Sequence, residues 1–369
     1  MIDFDSRRMS ASAQTQLIQI ASSQAVDWST PTCNHTCNIS KAANEDFYSL
    51  VSQKDTFSDA SFTGKNSLYW DGFFSEQYGQ IATNVEEFVS WERAYTKFGS
   101  DKHLWQEGGI TPLDIRQGAI GNCWFIGSAG AVAEIPNRLE KIFLNTSGKL
   151  NTAGIYGVNL YTLGVPNTII VDDMLPLYDA GEGVFRTLFA QIGENGNAWG
   201  TILEKAFAKA HGNYEHIIAG SPADALRMLT GSPSIELRNA QMTADEMWTE
   251  LKRHDLLDEM IMLNTPGGFS GNTDECGLVN NHAYIVLEAK QTSNGDRLLK
   301  MRNPWGFEKW TCDWSDLSDK WTQAIRDELN WQLADEENGD NDGVFWMTVE
   351  DFTARGWITQ VAFDTNDWY

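Results

Sequence analysis

Hydrophobic positions fall in blocks whose spacing changes along the chain. The run Trp124 to Ile135 is apolar and rich in small residues, which predicts a buried helix, and Gly118 and Gly121 break regular structure just ahead of it. Trp199 to Ala210 is amphipathic instead. Trp199, Leu203, Phe207 and Ala210 share one face, Glu204, Lys205 and Lys209 fall largely off it, and Gly212 stands where a C-cap glycine belongs. Ser221-Pro222-Ala223-Asp224 reads as an N-cap, an N1 proline and an acidic first turn, opening a helix to Leu229. Thr243-x-x-Glu246 is a capping-box signature for a helix to about Leu257. Strands are expected near 155–163 and 168–172, and after residue 258 they dominate: Met260 to Leu263, the run opened by His282, Leu298 to Arg302, Val344 to Val349, and Ile358 to Phe363. Asn294-Gly295 is a hairpin turn signal between the second and third of these.

The change near residue 231 predicts two lobes, a mainly helical one over 45–231 and a β-rich one over 232–369. Residues 1–44 are rich in Ser, Thr, Gln and Asn with little periodicity, so they read as a flexible extension or docking tail, with a short amphipathic helix over Gln14 to Ser22. Cys33, His35 and Cys37 in that stretch resemble half a zinc site, and no second pair lies near in sequence.

Length and composition allow ample core: 369 residues, 42% hydrophobic, with 15 Trp and 18 Phe. Against 27 basic residues stand 51 acidic ones, a formal charge of −24, which repels a nucleic-acid backbone. The acidity serves solubility, or takes a share in divalent-cation binding. Five cysteines (33, 37, 123, 276, 312) are an odd, sparse set unlike a secreted disulfide framework, and Cys276 reads as incidental. Met1 to Ala25 has no signal-type apolar stretch and nowhere do 18 apolar residues run together, so no membrane span is expected and a reducing, cytoplasmic setting is.

The candidate chemistry centres on Gln117-Gly118-Ala119-Ile120-Gly121-Asn122-Cys123. Cys123 falls at the N-terminus of the buried helix, where unpaired N–H groups and the macrodipole favour an anion and are expected to lower the thiol pKa. Gln117, six residues upstream, carries an amide that can donate to a developing oxyanion. A cysteine nucleophile needs a base and a group that orients it. Pairing the strand begun by His282 with the one ending before Asn303 makes those two residues neighbours, so that Asn303 can accept from the imidazole. Cys123 alone reads as a buried structural cysteine and His282 alone as a satisfied histidine. Together with Asn303 they point to nucleophilic catalysis.

The motifs around these residues resemble the protease core of the calpain family. The resemblance rests on Asp114-Ile115-Arg116-Gln117-Gly118-Ala119, Gly121-Asn122-Cys123-Trp124, His282-Ala283-Tyr284 and Arg302-Asn303-Pro304-Trp305-Gly306. Val171-Asp172-Asp173-Met174-Leu175-Pro176, Leu203-Glu204-Lys205-Ala206-Phe207-Ala208-Lys209, Gly212-Asn213-Tyr214-Glu215 and Asp342-Gly343-Val344-Phe345-Trp346-Met347 extend it, in order, from about residue 45 to 363. It implies an α+β, papain-like fold split into a helix-rich and a β-rich lobe with the active site between them. Cys123 is then the nucleophile, His282 the base, Asn303 the orienting group, Gln117 the oxyanion donor, and Trp305 an indole that moves as the cleft assembles. Gly267 to Leu278 resembles a cleft-gating segment.

The resemblance also implies calcium in each lobe. In the first lobe its ligands map to the backbone around Glu107 and Gly109, to Asp114, and to a distal acidic position that here is Asn197. In the second, Asp316 and Asp342 keep their carboxylates, while the other two positions are Lys309 and Val344, which cannot serve. A weak first site and a lost second site are expected, and the acids Asp335, Glu336, Glu337 and Asp340 read as a solvated loop. No D-x-[DN]-x-[DN]-G loop with a glutamate at its twelfth position occurs, so regulation is expected to act on the core, through residues 1–44, or through partners. The expected activity is a cysteine endopeptidase acting on protein or peptide substrates. The alternative is a calpain-like module that docks in a larger assembly without catalysis.

Overall fold

The run after Cys123 folds as helix α1, Cys123–Val132, and Trp124 to Val132 are all buried. Its small residues are used for contact. A Cβ on Gly127 would stand 2.5 Å from Met262 Cε, and one on Gly130 2.6 Å from Ile285 Cδ1, so the helix lies directly on the strands that carry those side chains. The computed structural model describes residues 47–52, 56–68, 89–98, 102–106, 109–181, 184–193, 195–267, 273–307, 310–331 and 342–364. The N-terminal extension, with the Gln14 to Ser22 helix and the Cys33, His35 and Cys37 group, lies outside them.

Before residue 231 the strands are β1 (Val89–Arg93), β2 (Ile155–Thr162), β3 (Val165–Asp172), β4 (Met174–Asp179) and β5 (Phe185–Thr187). They form a three-stranded sheet, β1-β4-β5, and a separate β2-β3 pair, all antiparallel. Among the described residues this stretch holds more helix than strand, but it carries five strands where two are expected. The β2-β3 pair lies where strands are expected, near 155–163 and 168–172, whereas β4 carries Pro176 and β5 is three residues long, which hid them.

After residue 231, β6 (Ser234–Arg238), β7 (Met260–Asn264), β8 (Ala283–Gln291), β9 (Arg297–Arg302), β10 (Val344–Thr348) and β11 (Ile358–Ala362) make one antiparallel sheet in the order β10-β9-β8-β7-β11-β6. The expected hairpin is β8-β9. Its connection is closed by Thr292 N–H to Asp296 O at 2.8 Å and Gly295 N–H to Thr292 O at 2.9 Å.

The remaining longer helices are α2 (Trp199–His211), α3 (Pro222–Thr230), α4 (Ala244–Asp255), α5 (Gln323–Leu329) and α6 (Val349–Arg355). Thr243 closes the expected capping box with Glu246 at the start of α4. Ser221 precedes α3 as expected but caps nothing with its side chain; Ser221 Oγ accepts from Gln360 Nε2 at 2.9 Å and so fastens α3 to β11. In α2, Glu204 and Lys205 are not on a solvent face. Both are buried, Lys205 in an ion pair with Asp172, while Lys209 pairs with Asp59 at 2.7 Å. Those partners lie on other elements, which is why helical periodicity alone misplaced the charges. Among the described residues no helix is long and apolar enough to cross a membrane.

Candidate active site

Cys123 is the first residue of α1, and Asn122 is its N-cap without a capping side-chain bond. Asn122 Nδ2 instead donates to Glu204 Oε1 at 2.7 Å, and Glu204 Oε2 accepts from the Ala190 N–H at 2.8 Å. One carboxylate of α2 thus ties the residue before the thiol to the strand-end loop beside it. That loop also crowds the glycine motif. A Cβ on Gly118 would meet Phe189 O at 1.9 Å, and Ala119 N–H bonds Leu188 O at 3.0 Å, so this turn admits no side chain at 118.

The thiol does not have the environment expected for it. Its half-buried side chain packs against the apolar core, and loss of water raises its pKa. The N–H groups of Ala283, Trp124 and Cys123 act in the expected, lowering direction, but burial outweighs them. The Ala283 N–H at the thiol places it at the first residue of β8, next to His282.

His282 is 4% exposed and begins that strand's approach. Its Nε2 is 2.8 Å from Asn303 Oδ1. The Trp305 N–H donates to the same Oδ1 at 3.0 Å, which identifies that atom as the amide oxygen and therefore Nε2 as the protonated nitrogen. Nδ1 is left as the basic nitrogen. The ring is held edge-on by Tyr284 at 5.0 Å and tilted against Trp305 at 4.6 Å between centroids, while the backbone of His282 exchanges bonds with Thr265.

Gln117 joins the two halves. Its N–H bonds Pro304 O at 2.9 Å, next to Asn303, and its Nε2 donates to Ile120 O at 2.6 Å, leaving a second amide hydrogen on the same nitrogen. Arg302, missed as a site residue because it reads as a strand end, reaches across from β9 to Ile115 O at 2.8 Å. It is fully buried, and burial together with nearby Arg116 lowers its pKa to about 10, against the pull of Asp342 and Asp114. The chemistry-bearing residues read from sequence therefore meet in one place: Cys123 and Gln117 from before residue 231, His282 and Asn303 from after it.

The sequence profile of the calpain family cysteine protease matches residues 57–359. The chain belongs to the calpain family. It is 32% identical over 276 residues to the calpain-type cysteine protease DEK1 of Arabidopsis thaliana, covering 73% of this chain and 12% of that protein. It is 30% identical over 295 residues to mouse calpain-5, covering 71% and 44%, and 32% identical over 274 residues to the human calpain-1 catalytic subunit, covering 72% and 36%. The chain thus spans less than half the length of these relatives.

The positions that resemble calpain calcium ligands take a different form here. Gly109, Asp114 and Asn197 do converge, but by hydrogen bonding. Asn197 Nδ2 donates to Gly109 O at 2.7 Å and to Asp114 Oδ2 at 3.0 Å. Asp114 also accepts from Thr111 N–H at 2.9 Å, Asn195 Nδ2 at 2.6 Å and Trp199 Nε1 at 3.1 Å. Donors aimed at each of these oxygens do not fit a divalent cation, which needs six to eight open oxygens. Glu107 and Lys309 lie outside the described residues. Of the second set, Asp342 accepts from the Val344 N–H at 2.9 Å, Val344 is buried in β10, and Asp316 is partly buried. Among the described residues no group of three or more His, Cys, Asp or Glu side chains is arranged to hold a metal ion.

Cys276 is not incidental. It forms a disulfide with Cys312 across 36 positions, a pairing that sparse spacing could not signal. Residues 273–278 of the gating-like segment are pinned further: Asp274 Oδ1 accepts the N–H groups of Cys276 and Leu278, each at 2.9 Å, and its Oδ2 accepts from Arg355 Nη1 at 2.8 Å.

Proposed function

We propose that this calpain-family protein is a cysteine endopeptidase in which Cys123 attacks a peptide carbonyl, with His282 as base and acid and Asn303 as the orienting group. The single observation that carries this reading is the His282 Nε2 to Asn303 Oδ1 bond at 2.8 Å, which leaves Nδ1 as the nitrogen able to take a proton, on the residue next in sequence to Ala283, whose N–H bonds the thiol. A thiol kept protonated by burial ionises by passing its proton to that imidazole, so the nucleophile forms as an ion pair and not by release of a proton to water.

The thiolate sulfur bonds to the carbonyl carbon, and the carbonyl oxygen takes the electron pair. The second amide hydrogen of Gln117 and the Cys123 N–H stabilise that oxyanion. The imidazolium returns its proton to the leaving amine as the C–N bond breaks, giving a thioester. Water, deprotonated by the same imidazole, then releases the acid. Trp305, leaning on His282, walls the cleft on the imidazole side.

Because the nucleophile and the base come from opposite sides of residue 231, closing one lobe on the other assembles the site, and any regulator acts on that step. Extended, unfolded protein segments are the substrates proposed, with residues 1–44 as a docking tail for an assembly partner; the Cys276–Cys312 disulfide removes the ground on which a reducing, cytoplasmic setting is expected. The test is digestion of an unfolded protein by the full chain and by Cys123→Ala, with fragments read by mass spectrometry. Internal cuts made by the former and not by the latter support the reading; equal, absent or purely terminal trimming refutes it.

A further inference from the structure

The oxygens that resemble a first-lobe calcium site form a closed network around one amide nitrogen. We propose that the Asn197 carboxamide takes the place of the cation in this chain, so that this half of the core is aligned for catalysis without calcium. The inference rests on the peptidase reading above and concerns its regulation.

The amide orientation is fixed by its own partners. The Gln106 N–H donates to Asn197 Oδ1 at 3.0 Å, so the other terminus must be the NH2 group, and it faces Gly109 O at 2.7 Å and Asp114 Oδ2 at 3.0 Å. Flipping it would set oxygen against oxygen at both contacts and leave the Gln106 N–H without an acceptor. Asn197 is fully buried and Asp114 is 2% exposed, so water does not compete. The Asp114 charge is met by donors alone: Thr111 N–H and Oγ1, Asn195 Nδ2, Asn197 Nδ2 and Trp199 Nε1. Hydrogen bonds to a carboxylate are the stronger class.

What the network holds is the oxyanion segment. Asp114 ends the turn Pro112–Asp114, and the next residues are Ile115, whose carbonyl takes Arg302 Nη2, and, two further on, Gln117, whose N–H takes Pro304 O. Trp199 starts α2, the helix that carries Glu204 under Asn122. A carboxylate at 197 would reverse this logic. Its oxygens would face Gly109 O and Asp114 Oδ2 with no hydrogen between them, a repulsion that a bound cation relieves. The choice of Asn or Asp at this one position therefore decides whether the half-site needs an ion.

The experiment compares the full chain with Asn197→Asp in chelator and in millimolar calcium, reading thermal midpoint, calorimetric calcium binding, and the rate of Cys123 alkylation by a peptidyl epoxide. The full chain is expected to label in calcium within about twofold of its rate in chelator, with no rise in midpoint. Asn197→Asp is expected to lose several degrees in chelator, to regain them on binding calcium, and to label more than about tenfold faster with the ion. If the variant fails to fold in chelator, its folding on addition of calcium supports the inference equally. Calcium that raises the midpoint of the unaltered chain, or that its labelling requires, overturns the inference and leaves the peptidase reading standing. A chain indifferent to calcium that is never labelled keeps the amide network and overturns the peptidase reading.

Discussion

Asn303 Oδ1 accepts from His282 Nε2 at 2.8 Å and from the Trp305 N–H at 3.0 Å. Two acceptor positions on one atom are thereby filled, and the backbone of Asn303 is itself fixed through its N–H to Gly343 O at 2.8 Å. The imidazole is oriented by a group that cannot turn. Asn303→Ala is expected to lower kcat on the order of 10²-fold, because the positioned base loses its tautomer and its aim, with KM little changed. Steady-state kinetics on a peptide substrate, with the thermal midpoint as a check on folding, measures this. A variant that keeps kcat would mean that His282 is oriented by its aromatic neighbours alone.

Glu204 predicts a pH signature. Burial raises its pKa from an ordinary 4.5 to about 7, against the lowering effect of the Ala190 and Asn122 hydrogen bonds. A carboxyl whose folded pKa exceeds its unfolded one is favoured protonated, so its stabilising contribution is full below about 4.5 and is lost as the pH rises through about 7. The stability difference between the unaltered chain and Glu204→Gln should drift in the variant's favour across that window, by up to about 3 kcal/mol. Urea unfolding of both proteins at several pH values reads it. A difference that stays flat would place the folded pKa of Glu204 near 4.5.

Much of this site is legible in the sequence. The helix after Cys123 shows as a continuous apolar, small-residue run, and the β8-β9 hairpin brings His282 and Asn303 together because antiparallel pairing sets the start of one strand against the end of the next. The Thr243 box is local chemistry and forms as its spacing predicts. The misplaced features all depend on residues far apart in sequence. Glu204 and Lys205 are buried because Asn122 and Asp172 meet them there. The thiol pKa is set by the burial of its surroundings, which outweighs the local helix terminus. Cys276 finds Cys312 only when the segments before His282 and after Asn303 fold side by side.

That disulfide carries its own expectation. Cross-linking positions 36 apart restricts the unfolded chain, and the chain-entropy relation assigns it about 4 kcal/mol. Cys312→Ser, or a dithiol reductant, should lower the thermal midpoint and speed hydrogen exchange at residues 274–279, which the bridge and Arg355 hold ahead of His282. An unchanged midpoint in reductant would show that Asp274 and Arg355 hold the segment without the bridge.

The peptidase proposed above requires Cys123 to act as a nucleophile activated by His282. The most direct measurement is intact-mass analysis of the full chain after brief exposure to a peptidyl epoxide, alongside Cys123→Ala and His282→Ala. One adduct on the unaltered chain, none on Cys123→Ala, and labelling slowed on the order of 10²-fold or more in His282→Ala is the expected result. An adduct that persists in Cys123→Ala, or forms at an unchanged rate without His282, would contradict it.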